Sequence, residues 1–86
     1  MYTIIFSRQA EKDKKLLKAA NLEEKARSLL NLLMEDPFRN PPPYEALVGQ
    51  LKGFYSRRIN YKHRLVYTVN ENEQYVHVLR MWTHYE

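Results

Sequence analysis

No cysteine occurs among the 86 residues, which removes disulfides, thiolate nucleophiles and cysteine-ligated zinc from consideration. The absence agrees with a reducing, cytoplasmic setting. Glycine is limited to Gly49 and Gly53, too few for a phosphate-cradling loop or a dinucleotide-binding turn. The three histidines, His63, His77 and His84, do not fall at the spacing of a His-Glu-x-x-His site, so neither a metal nor another cofactor is predicted. No serine sits in a nucleophile elbow. Long apolar runs are missing as well. Met1 to Phe6 is too short for a signal peptide or a membrane span, so no membrane partner is expected.

What is present describes a globular chain. Hydrophobic residues make up 44% and charged residues 28%, outside the range of disordered sequences. The length suits a single domain over residues 1–86. So short a domain buries only about 60% of its unfolded surface, and a covering partner would add materially to its stability. The formal charge is +4, a balance that favours polyanions. Up to Asp36 the signs are mixed, with Lys12, Lys14 and Lys15 beside Glu11 and Asp13. From Gly49 to Arg64 the chain holds Lys52, Arg57, Arg58, Lys62, His63 and Arg64 and no carboxylate.

Met1–Phe6 reads as a strand. Ser7 is a suitable N-cap for a helix to about Ala20, with Leu16, Leu17 and Ala20 inward and the lysines, Lys18 included, on the wet face. Asn21 and Glu24 have the spacing of a capping box for a second helix. In it Leu22, Ala26, Leu29, Leu30 and Leu33 share one face, and Asp36-Pro37 ends it. Pro41-Pro42-Pro43 predicts a stiff connector of polyproline geometry. Three strands follow, at Gly53–Ile59, His63–Val69 and Tyr75–Trp82. The order is β-α-α-β-β-β: an α+β domain with a helical hairpin on a small antiparallel sheet.

Acid–base chemistry on a phosphodiester is what the residues still permit. Metal-free RNA cleavage needs a base for the 2′-hydroxyl, an acid for the departing 5′-oxygen, cations for the phosphoryl charge and a surface to hold bases. Glu45 can serve as base and His84 as acid. Arg64 and an arginine at 57 or 58 can form the clamp, and Tyr85 or Tyr55 can stack. Adjacent residues of a strand point to opposite faces, so only one of Arg57 and Arg58 is expected at the site. The residues alone leave that choice open.

The run Leu51-Lys52-Gly53-Phe54-Tyr55-Ser56-Arg57-Arg58-Ile59, continuing to His63-Arg64-Leu65-Val66-Tyr67, resembles the "L-x-G-[FY]-x-S-R-R-I … H-R-L-V-Y" block of the Txe/YoeB toxins. These belong to the wider RelE/ParE superfamily. Pro43-Tyr44-Glu45-Ala46-Leu47 is similar to the family's "P-E-x-L" segment, and His84-Tyr85 to its His-Tyr ending. The resemblance implies a RelE-like fold and a ribosome-dependent endoribonuclease that cuts mRNA in the A site. It also implies silencing by a YefM/Phd-type antitoxin, through which alone the toxin would meet DNA. By motif, the general base falls on Glu45, the general acid on His84 and the phosphate-stabilising arginine on Arg64. Arg58 becomes the second RNA-contacting arginine, with Tyr85 and Lys52 completing the RNA-binding set, and Arg57 is left as sheet-surface charge. His63 and His77 read as structural or exposed strand residues and Trp82 as packing.

Two departures stand out. Val48 occupies a position where some relatives carry lysine. Glu86 follows the His-Tyr pair, and Met81-Trp82-Thr83 runs one residue longer than usual. In isolation Glu45 is a solvated loop carboxylate and His84 a terminal residue prone to fraying; the matched motifs give both a catalytic role. Other functions stay open at this point: a gyrase-inhibiting toxin of the same fold, a ribosome-independent RNase, and a catalytically silent RNA- or protein-binding module. Monomer and homodimer are equally compatible with the sequence.

Overall fold

A computed structural model describes residues 1–82. The elements are β1 (Thr3–Phe6), α1 (Arg8–Ala19), α2 (Glu23–Glu35), β2 (Glu45–Ala46), β3 (Phe54–Arg58), β4 (Arg64–Asn70) and β5 (Tyr75–Arg80), with a 3₁₀ turn at Gly49–Leu51. The five strands form one sheet in the order β1-β5-β4-β3-β2. The sheet is mixed and not wholly antiparallel, because β1 lies parallel to β5 while the other pairs are antiparallel. The return from β1 passes through both helices before the chain re-enters the sheet. The two-residue β2, absent from the expected order, adds an edge beside β3.

Ser7 caps α1 as its position predicted. Its Oγ accepts from the Ala10 N–H at 3.0 Å and donates to the Leu79 carbonyl at 2.7 Å. The inward face of α1 is Ala10, Asp13 and Leu17. Leu16, expected inward, is 42% exposed, and Ala20 is exposed. Asp13 is buried despite its charged neighbours, accepting from the Met81 N–H at 2.9 Å and from the Gln9 amide at 3.0 Å. It thereby pins the end of β5 to α1. The expected capping box is not formed. Asn21 has φ 61°, a left-handed conformation that asparagine tolerates, and α2 begins after Leu22 with no side-chain cap.

Ala26 and Leu33 of α2 join Ala10, Leu17, Ile59, Leu65, Tyr67, Val76, Val78 and Met81 in the core, with Leu22, Leu29 and Leu30 packed against it. The core therefore lies between the hairpin and one face of the sheet. A register shift between Val66 and Tyr67 against β5 keeps Val78 and Met81 in that core on either side of it. The opposite face carries no helix. Among the described residues no helix is long and apolar enough to cross a membrane. The connector departs from the expected polyproline helix, its Asn40–Pro41 and Pro41–Pro42 bonds being cis.

Candidate active site

Strand alternation builds two rows of side chains on the helix-free face. In one row the register places Glu45 opposite Ser56, Ser56 opposite Val66, and Val66 opposite Arg80. In the next, Arg58 lies directly opposite Arg64. Like charges so paired repel, unless an anion sits between or beside them. Glu45 partly supplies one: its Oε1 lies 3.8 Å from Arg64 Nη1. The Glu45 side chain is 69% exposed and that of Arg64 24%, so this long, wet contact holds the carboxylate only loosely. Pro42, Pro43, Tyr44, Glu45, Ser56, Arg57, Arg58 and Arg64 line a pocket of about 430 Å³ at this place.

The connector reaches the groove because Arg57 holds it. Arg57 is 1% exposed and not the sheet-surface charge expected. Its Nε donates to Tyr67 Oη at 3.0 Å, and Nη1 to the Pro42 carbonyl at 2.7 Å. Nη2 donates to the carbonyls of Pro37 at 3.0 Å and Arg39 at 2.8 Å. Tyr67 Oη donates onward to Pro37 O at 3.0 Å. Burial pushes the Tyr67 phenol up from its ordinary value, and the hydrogen bond and charge of Arg57 offset part of that shift. Arg57 and Arg58 do leave the strand on opposite sides, yet both border the pocket, because Arg57 sits under Pro42 at its wall.

The aromatic residues divide differently from expectation. Tyr55 lies among Phe38, Tyr44 and Tyr67, with ring centroids 5.3 to 5.8 Å away. It therefore faces away from Glu45 and Arg64 and offers them no stacking surface. Tyr44 borders the groove instead; its place beside Glu45 in Pro43-Tyr44-Glu45 was the available signal. Lys52 is exposed in the turn before β3, outside the residues that line the pocket. His63 is buried, stacks on Trp82 with ring centroids 3.9 Å apart, and hydrogen-bonds the Trp82 carbonyl through Nδ1. That clamp fixes the chain at Trp82. His84 and Tyr85 lie outside the described residues.

Residues 6–85 match the family described as "YoeB-like toxin of bacterial type II toxin-antitoxin system". The chain belongs to the YoeB family. A Toxin YoeB of Synechocystis sp. is 43% identical over 63 residues, 73% of this chain and 66% of that relative. The match thus spans just under two thirds of the relative's own length. Among solved structures, a YoeB/ParE toxin from Agrobacterium tumefaciens superposes with a TM-score of 0.87 at 28% identity, covering 96% of this chain and 99% of that one. The YoeB–YefM heterotetramer from Staphylococcus aureus has a chain 34% identical, with a TM-score of 0.81 and 99% of both chains covered. The α+β architecture is that of YoeB structures, and the groove of this YoeB-family chain lies on the sheet face opposite its helical hairpin.

Proposed function

We propose that this YoeB-family toxin is a ribosome-dependent endoribonuclease that cuts mRNA in the A site by metal-independent acid–base catalysis. The observation that carries the reading is the Glu45–Arg64 contact beside the directly opposed Arg58 and Arg64. A base, and two cations that repel until an anion arrives, share one open pocket. Glu45 takes the proton of the 2′-hydroxyl, and O2′ attacks the adjacent phosphorus. The P–O5′ bond breaks, leaving a 2′,3′-cyclic phosphate, and His84 protonates the departing 5′-oxygen. Arg64, with Arg58 beside it, stabilises the charge that builds on the phosphoryl oxygens. Tyr85 holds a base, and Lys52 contributes to the positive field from outside the pocket.

The substrate would be presented by the ribosome, since a net charge of +4 gives little independent RNA affinity. The proposed partner is a YefM-type antitoxin, a reading supported by the YoeB–YefM complex of Staphylococcus aureus. A segment of acidic character would fit the cationic groove while covering the site. Primer extension on mRNA-programmed 70S ribosomes tests the proposal. Wild type is expected to cut at A-site codons, and Glu45→Ala and His84→Ala to lose roughly two orders of magnitude or more in rate. Equal cutting of naked RNA would replace the ribosome requirement with a free-standing nuclease, and unchanged rates in both variants would remove the assigned roles.

A further inference from the structure

The Ser56 hydroxyl is the buried side-chain oxygen that lacks a hydrogen-bond partner among the described residues. Ser56 is 2% exposed and borders the pocket with Glu45, Arg58 and Arg64. A buried hydroxyl without a partner is unfavourable, and folded proteins hold few of them. Alanine would fill the same space without that cost. A stability cost placed in a binding pocket is the usual mark of a group kept for use there.

Register supplies its partner. Ser56 lies directly across from Glu45, and opposed side chains on one face have Cβ atoms about 4.5–5.5 Å apart. The Glu45 side chain therefore has Arg64 at 3.8 Å and, as its cross-strand partner in the register, Ser56. The two are not equivalent for a base. Arg64 is also the group a phosphodiester will claim, whereas a serine hydroxyl is a neutral donor.

We infer that Ser56 is the positioning residue for Glu45. When a phosphodiester takes Arg64, the carboxylate turns to its cross-strand neighbour and accepts a hydrogen bond from Ser56 Oγ. One carboxylate oxygen is then held while the other is free to take the 2′-hydroxyl proton. A neutral donor orients the base without cancelling its charge. The charged and titratable groups that line the pocket with Glu45 are Arg58 on β3, Arg64 on β4, Tyr44 beside it and Arg57 in the wall. Ser56, the cross-strand partner of Glu45, is a neutral donor that can reach the carboxylate without competing for the phosphate.

The inference rests on the reading of Glu45 as general base, and its test has two arms. Ser56→Ala is expected to fold with a Tm equal to or above wild type. Its kcat on programmed ribosomes should fall about tenfold or more, the loss of one hydrogen bond to a charged group, with KM unchanged. The limb of the pH profile set by the base should move to higher pH, because the lost donor favoured the ionised form. In a Glu45→Gln background, Ser56→Ala should cost nothing further. Wild-type kcat in Ser56→Ala, or an undiminished loss in the Glu45→Gln background, overturns the proposal. The second arm needs no ribosome: Arg64→Ala releases Glu45 as substrate would, and carbon-detected NMR follows the carboxyl titration. Arg64→Ala/Ser56→Ala should titrate at higher pH than Arg64→Ala, and equal midpoints overturn the proposal whether or not wild type cuts RNA. Failure of wild type to cut, with the midpoints separated, rejects the proposed function and upholds the Ser56 contact.

Discussion

Arg57 shows how a single buried residue can organise a site from its wall. A guanidinium taken out of water needs its donors satisfied, and here carbonyl dipoles take the place of a carboxylate. Pro37, Arg39 and Pro42 offer these carbonyls on a connector whose prolines have no N–H of their own to offer. Removing the cation would take from Tyr67 Oη the donor it accepts from, leave it only its bond to the Pro37 carbonyl, and free the segment that leads into Glu45. Arg57→Met is expected to lower the unfolding free energy by about 3 kcal/mol, read by urea denaturation. Arg57→Lys should recover little, since one compact ammonium cannot span four acceptors. A loss under about 1 kcal/mol in the methionine variant would show that the connector is held by its packing alone. Strand alternation correctly separated Arg57 from Arg58 but could not tell which was buried. The deciding acceptors lie 15 to 20 residues away in the chain, beyond any local pattern. Glu45, Arg58 and Arg64 are legible as a group through the matched motifs; Ser56 is not, because a serine in a strand carries no signal of its burial.

At the scale of elements, the caps of the two helices explain what local sequence can and cannot specify. Ser7 has one geometry open to it, extended backbone at φ −68° and ψ 166°, and that geometry caps. Asn21 had two, since asparagine both caps helices and enters the left-handed region. The tight turn between α1 and α2 required the second, so the apparent capping box with Glu24 dissolved. β2 was invisible for a different reason, since two residues carry no periodicity. The parallel β1–β5 pairing is a property of the whole path. Ser7 also bonds the Leu79 carbonyl, beside the register shift of β5, so it joins helix start to sheet. Ser7→Ala is expected to cost about 1–2 kcal/mol, a fall in Tm of roughly 4–8 °C per kcal/mol for a domain of this size. Thermal unfolding by circular dichroism reads it. A shift of under about 1 °C would mean that water replaces both bonds at no cost.

The whole molecule is a two-sided object, with one sheet face closed by helices and the other left to polar chemistry. Among the described residues, the rows on the open face set Arg58, Arg64 and Arg80 against Glu45. The lysines of α1 belong to the other side, where Lys14 is paired with Glu11 at 3.0 Å and lies over the Phe6 ring. An overall charge of +4 could therefore act in two ways, as a diffuse field or as a directed groove, and salt dependence separates them. Each phosphate neutralised on a single strand contributes about 0.7 to the slope of log affinity against log salt. A 2′-O-methyl RNA strand, which offers no 2′-hydroxyl to cut, should lose about that much slope in Arg58→Ala and again in Arg80→Ala, while Lys12→Ala/Lys15→Ala keeps the wild-type slope. Equal reductions in every variant would assign the attraction to net charge. A reduction confined to the sheet arginines would locate the RNA path on the open face, running from Arg80 across Val66 and Ser56 to Glu45.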